Sequence, residues 1–347
     1  MANHQKPKLV AIVGPTASGK SELAVFIAQQ IKKYKWGGYE RAEIISADSR
    51  QVYKHLDVGT NKVPGIWQDT INNSKTNKHI TLYLFAIAKR YALHRKRRIF
   101  IYKNIPHHCI DFVHPKKTFT VAEYKTCAKK AIQEITARGN LPILVGGTGF
   151  YIEAVINDIL LPNVPPNLQL RKELEKKSVE ELFMLLRKLD LTRAATIDVK
   201  NKRRLMRAIE IAIVLGKVPA SKKHPPYTTL IIGIKKTDAE LKNAIAKRSR
   251  KQIPGLLLEI KRLTRMKVPQ KRIRELGFEY RSTLAYLETG RPSLLGRPVS
   301  KLELVHMLVK ENWRYAKRQM TWFKRNKQIH WIEEKKDALE LIRAFLK

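Results

Sequence analysis

The run from Lys8 to Val13, "KLVAIV", is almost wholly apolar and stops at Gly14, the pattern of a strand buried on both faces of a parallel sheet. A short loop later, Leu23, Ala24, Ile27, Ala28 and Ile31 recur at helical spacing, which predicts a helix with one apolar stripe. Two further apolar runs, "EIISAD" from Glu43 and "LPILVGG" from Leu141, also end in small or polar residues. In an open α/β sheet that carboxyl edge is where ligands bind. "YTTLIIGIKK" from Tyr227 reads as a strand returning to the same sheet, followed by helices to the end of the sequence. The alternation predicts an α/β fold, a parallel sheet flanked by helices.

Two stretches break the regularity. Residues 61–104 carry polar and basic material such as "NNSKTNKH" and "HRKRRIF", and read as an insertion or long loop. Proline punctuation in "LPNVPPNLQ" then introduces helical patterns that run to about residue 217. We therefore expect a catalytic core over 1–160 that contains the insertion, a small helical domain over 161–222, and a return to the core over 223–347.

The loop between the first strand and helix carries the chemistry. Gly14, Pro15, Thr16, Ala17, Ser18, Gly19, Lys20 and Ser21 fit the spacing G-x-x-x-x-G-K-[ST] of a P-loop. Its backbone N–H groups cradle phosphates, its lysine adds a charge and its last hydroxyl holds a metal. A nucleoside triphosphatase usually adds an acid at the end of a second apolar strand. Here "PILVGGTG" ends in Gly146, Gly147 and Thr148. The strand "EIISAD" does end in an acid, Asp48, followed by Ser49, Arg50 and Gln51, side chains suited to holding a polar substrate. Asp48 could act as a metal ligand or a base, or cap a turn, as strand-end aspartates do.

Charge changes the picture further. Among 347 residues, 69 Lys and Arg stand against 30 Asp and Glu, a formal charge of +39, far beyond what solubility requires. A polyanionic partner follows, with a lysine-rich background as the competing explanation. Arg203, Arg204 and Arg207 form a basic stripe facing away from Leu205, Ala208, Ile209 and Ala212, suited to phosphate contact. Arg314, Lys317, Arg318 and Arg325 form another, opposite Trp313, Ala316, Met320 and Phe323, which we assign to the core. Cys109 and Cys127 lack zinc-site spacing and read as reduced thiols. His107 and His108 have no convergent acid or cysteine pattern and read as loop packing. The start of the sequence lacks an apolar signal core, and no run suggests a membrane span, so the expected location is the cytoplasm.

The blocks "GPTASGKS", "ISADSRQVYKHLDVGT", "PHHCID", "LPILVGGTGFYIEA", "RRLMRAIEI" and "YAKRQMTWF" occur in the order of the tRNA dimethylallyltransferase family, and the sequence resembles its bacterial type. The resemblance implies transfer of a dimethylallyl group from dimethylallyl diphosphate to N6 of adenosine 37 of tRNA. It implies that Lys20 and the Gly14–Ser21 backbone hold the diphosphate and that Ser21 holds Mg²⁺. Asp48 would take the amine proton, Thr148 would sit near the reacting centre, and Ser49, Arg50 and Gln51 would lie against the target nucleotide. Arg203, Arg204, Leu205, Met206 and Arg207 fall in the tRNA-binding block. A monomer is expected.

Departures are equally legible. The family usually passes directly from "DVGT" to "PHH", where this chain carries the basic insertion. Ala244 replaces the first of two spaced arginines, leaving Arg248 as the matching diphosphate contact. Glu279 in "LGFEYRS" stands where members commonly have a basic residue. A P-loop kinase for a small metabolite, an adenylate isopentenyltransferase acting on free nucleotides, and a non-catalytic RNA-binding protein remain the alternatives.

Overall fold

A computed structural model describes residues 6–69, 98–220, 224–288 and 300–347. The described chain divides into two compact units, one of Met1–Ile156 with Pro226–Lys347 and a smaller one of Asn157–Pro225.

The larger unit is built on a sheet of eight strands in the order β3-β4-β5-β2-β6-β1-β7-β8. They are β1 Lys8–Val13, β2 Ala42–Ser46, β3 Ile66–Asp69, β4 Arg98–Tyr102, β5 Ile105–His108, β6 Leu141–Val145, β7 Thr228–Ile234 and β8 Ile329–Ile332. From β5 to β8 every pairing is parallel, which brings the carboxyl ends of β1, β2 and β6 to one edge. Helices cover both faces, as a sheet of unbroken apolar strands requires. One apolar cluster joins Ile12 and Ile143 to Ile27 and Ile31 of the Lys20–Tyr34 helix. The other joins Leu9 and Leu144 to Tyr124 and Ile132 of the Val121–Ala137 helix.

Three expectations change. The insertion over 61–104 is not simply a loop: its two ends form β3 and β4, which extend the sheet antiparallel from β5. A two-residue hairpin turn at Lys103 and Asn104, with φ of 49° and 59°, joins β4 to β5. The middle of the expected insertion, 70–97, lies outside the described residues. Second, the chain after β7 is not wholly helical, because the short run Ile329–Ile332 adds β8 at the sheet edge. Third, His107 and His108 belong to β5 rather than to a loop.

Their strand placement explains the histidines. His107 is buried, and its Nδ1 lies 2.9 Å from the carbonyl of Ile105; burial lowers its pKa to about 4, so it is neutral. His108 contacts the buried carboxylate of Glu43 at 2.6 Å, and Arg138 and Asn140 bind the same carboxylate. Burial opposes the Glu43 charge, but these partners outweigh it and hold the carboxyl down to about 2. Among the described residues no group of three or more His, Cys, Asp or Glu could hold a metal ion, and no helix is long and apolar enough to cross a membrane.

The smaller unit packs the helices Leu168–Glu175, Val179–Leu189, Leu191–Ala194 and Lys202–Leu215 around Leu174, Leu182, Leu186, Leu205 and Ile209. Its one buried carboxylate cluster centres on Glu210, which binds Arg171, Arg207 and the backbone N–H of Asn167.

The Glu43 cluster generates a prediction. Glu43→Ala leaves Arg138, Asn140 and His108 without their shared acceptor and should cost about 3 kcal/mol in urea unfolding. Because the folded carboxyl titrates below its unfolded value of about 4.3, its contribution should be complete above that pH and fade as the pH falls toward 2. A loss under about 1 kcal/mol at pH 7 would contradict the assignment.

Candidate active site

The loop after β1 turns because Gly14 takes φ 144° and Gly19 takes φ 91°, both unfavourable for a side chain. Gly19 is the N-cap of the Lys20–Tyr34 helix, so the first free N–H groups of that helix face the edge where β1, β2 and β6 end. Thr16, Ala17, Gly19, Lys20 and Ser21 line a cavity of about 320 Å³ there, together with Asp48 and Arg248. Gly14, Pro15 and Ser18 are buried behind it.

The Lys20 Nζ donates to the carbonyl of Pro15 at 2.5 Å. Burial lowers its pKa to about 7, with Asp48 opposing the shift and Arg248 adding to it. An anion in the cradle would reverse that penalty. Arg248 donates from Nη2 to Asn312 Oδ1 at 2.5 Å, while its Nε is buried without a hydrogen-bond partner. Ala244, one turn earlier on the same helix, lines the same cavity, so the missing arginine leaves space where a charge was expected.

Asp48 follows β2 directly. Its Oδ1 accepts from the backbone N–H groups of Arg50 at 2.8 Å and Gln51 at 3.4 Å, so it caps a turn and still lines the cavity. The turn cap and the site residue are one residue. Thr148 Oγ1 accepts from the Ser49 N–H at 3.1 Å, joining the ends of β2 and β6. Their approach demands Gly146, where a Cβ would lie 2.0 Å from the carbonyl oxygen of Ala47. Arg50 reaches the carbonyl of Glu275 at 3.0 Å. Gln51 spends its amide on the carbonyls of Thr60 and Asn61 and on Ser46 Oγ, so it positions the Thr60–Asn61 segment. Glu259 fixes that segment from below, accepting from the N–H groups of Asp57, Val58 and Gly59.

Sequence reasoning missed one face of the Lys301–Phe323 helix. Asn312, Tyr315, Gln319 and Trp322 recur at helical spacing between the basic face and the apolar face. Gln319 accepts from the Thr16 N–H at 2.7 Å and donates to the Gly147 carbonyl at 2.8 Å, clasping the P-loop to the loop after β6. Tyr315 lines the cavity and is hydrogen-bonded to Thr148; burial holds its phenol protonated far above neutral pH. The signal was the buried polar period itself, hidden because Trp313, Ala316 and Phe323 already supplied a core face. Glu279, noted from the sequence as an acid in place of a basic residue, interacts electrostatically with Arg248 and Asp48. Burial pushes its carboxyl up to about 7, against its own backbone N–H and the Arg248 charge, with Asp48 adding to the rise.

The basic stripe of the smaller unit divides between surface and interior. Arg203 and Arg204 are exposed, with Arg204 3.6 Å from Asp198. Leu205 and Met206 are core side chains. Arg207 is turned inward to Glu210 and the Val164 carbonyl, because the buried Glu210 needs cations to offset its desolvation.

The sequence model described as IPP transferase matches residues 92–326. The chain belongs to this family. A tRNA dimethylallyltransferase of Pelotomaculum thermopropionicum is 33% identical over 341 residues, covering 96% of this chain and 92% of its own. A tRNA dimethylallyltransferase 1 of Syntrophus aciditrophicus is 34% identical over 346 residues, covering 98% and 97%. The crystal structure of the full-length tRNA isopentenylpyrophosphate transferase of Bacillus halodurans matches with a TM-score of 0.61 at 30% identity, covering 98% of this chain and 96% of that one. Around one cavity this member of the family brings together the Thr16–Ser21 loop, Asp48 and the half-buried Arg248.

Only the cationic form of Lys20 attracts an anion. Affinity for inorganic diphosphate should therefore fall as the pH rises through about 7, approaching tenfold per unit above it, after correction for the ligand's own ionisation. Calorimetry across pH 6–9 checks this, with Lys20→Met as the control that removes the dependence. An unchanged pH profile in that variant would contradict it.

Proposed function

We propose that the chain is a prenyltransferase that moves a dimethylallyl group from dimethylallyl diphosphate to N6 of adenosine 37 of tRNA, yielding N6-dimethylallyladenosine and diphosphate in the cytoplasm, as a monomer. The observation that carries this reading is the cavity itself, where the P-loop, Lys20 and Arg248 face the same space as Asp48. The family's tRNA dimethylallyltransferases support the choice of donor and acceptor.

The bond from the prenyl C1 to the diphosphate oxygen breaks as the bond to N6 forms. The electron pair leaves with the diphosphate, whose charge Lys20, Arg248 and the helix N-terminus stabilise where it develops. The exocyclic amine is a weak nucleophile because its lone pair is delocalised into the ring, so Asp48 takes its proton as the bond forms. Thr148 fixes the neighbouring turn by its hydrogen bond to the Ser49 N–H. The Ser21 hydroxyl lines the cradle and is an oxygen donor of the kind Mg²⁺ takes alongside substrate phosphates. Mg²⁺ held there would neutralise charge on the leaving diphosphate. Arg203 and Arg204 offer exposed cations to the RNA backbone, whereas Arg207 acts through the fold.

Asp48→Asn keeps the hydrogen-bonding shape but cannot accept a proton. Single-turnover prenylation of an unmodified tRNA transcript, with the product mapped at adenosine 37, should slow roughly 10²- to 10⁴-fold while tRNA and donor still bind. Recovery of the wild-type rate at high Mg²⁺ would make Asp48 a metal ligand instead. Product at another position would overturn the acceptor assignment.

A further inference from the structure

The strands β3 and β4 wall a second and larger cavity, of about 940 Å³, that the reaction above does not use. It shares Asn61 and Arg248 with the smaller cavity around the P-loop, so the two adjoin. Five Lys or Arg side chains line it against two Asp. Both acids are already engaged: Lys62 binds Asp57 and Asp111 at 2.7 Å each, and Trp67 donates its indole N–H to Asp111 at 2.8 Å. Lys54, Arg98 and Lys251 are exposed cations on its walls. The cavity is therefore positive, with its negative charge spent on architecture.

Trp67 is held more tightly than a surface aromatic needs to be. Asp111 pins its N–H, and its ring meets Phe100 edge to face at 5.7 Å between centroids and 77° between planes. A ring held by a hydrogen bond and a ring contact loses little entropy when a flat ligand stacks on it. An immobilised indole beside the exposed cations Lys54, Lys251 and Arg98, the last in a solvent-exposed pair with Asp69 at 3.4 Å that a phosphate can replace, suits one nucleotide unit, with the base stacked and the phosphate paired. Continuity with the P-loop cavity favours a nucleotide that is part of the same RNA over a free one, because a chain presenting one nucleotide to Asp48 brings its neighbours to this opening.

We propose that this cavity is a subsite for a nucleotide of the RNA substrate next to the prenylated one, with the base against Trp67 and its phosphate paired with Arg98. The proposal rests on the prenyltransferase reading for the identity of the RNA. The binding test below needs no turnover, so the two can fail separately.

The test measures affinity of the full chain for an anticodon stem-loop RNA and for AMP, together with the kinetics of prenylation. Trp67→Ala should weaken RNA binding about tenfold, and Trp67→Phe should restore most of it. Arg98→Ala, an exposed change with little bearing on folding, should lower the slope of log affinity against log salt by about one. In turnover both Ala variants should raise KM for tRNA while leaving kcat and donor affinity unchanged, which a merely structural defect would not do. RNA affinity and salt slope unaltered in both Trp67→Ala and Arg98→Ala would overturn the subsite. So would a Trp67-dependent site for AMP that RNA does not compete for. A wild-type chain that binds the stem-loop through Trp67 but never prenylates it would support the subsite and overturn the prenyltransferase reading.

Discussion

One side-chain amide ties the site together. Gln319 accepts from the P-loop at Thr16 and donates to the loop after β6 at Gly147, so two strand-end loops share a single rigid clasp. Parallel β1 and β6 are neighbours in the sheet, which sets their ends side by side, but it does not fix loops that leave the sheet. A buried amide that is satisfied on both its donor and acceptor sides does so with direction as well as energy. The same helix carries Asn312, which orients Arg248, and Tyr315, which reaches Thr148. The cradle, its second cation and the turn beside Asp48 are thus indexed to one helix from near the end of the chain.

That dependence explains what could and could not be read from the sequence. The strand, glycine loop and helix around Gly14–Ser21 were legible because each local signal agrees with the others: apolar run, positive-φ glycines, helical stripe. Asp48 was legible as an acid ending an apolar strand. Gln319 was not, since a glutamine on a helix with a convincing apolar face gives no sign that it is buried. The burial of Leu205 and Met206 was also not legible. They sit between arginines in a block associated with RNA, yet helical geometry turns them to the core, and Arg207 turns inward to share the buried Glu210 with Arg171. The strands β3 and β4 were obscured by the basic residues around them, and four-residue β8 by its shortness.

The charge distribution sets the chemistry apart from that of a P-loop kinase. Magnesium-holding acids in such enzymes stand at the end of a second strand. Here Gly146, Gly147 and Thr148 follow β6, and the acid, Asp48, lies just after β2, in the turn held by Thr148. In the proposed reaction such a site would receive negative charge on a departing group and a proton from an incoming one. Lys20 and Arg248 would stand on the leaving side, and burial lowers the Lys20 pKa to about 7. The account therefore requires that the phosphates held by the loop depart intact.

Phosphorus NMR of a single-turnover mixture tests that requirement most directly. Unmodified tRNA, dimethylallyl diphosphate and Mg²⁺ with the purified chain should release inorganic diphosphate in equal amount to prenylated tRNA, and AMP or ATP in place of tRNA should release none. Prenylation of the free nucleotides with tRNA left unmodified, or orthophosphate or ADP formed from ATP in place of released diphosphate, would contradict it.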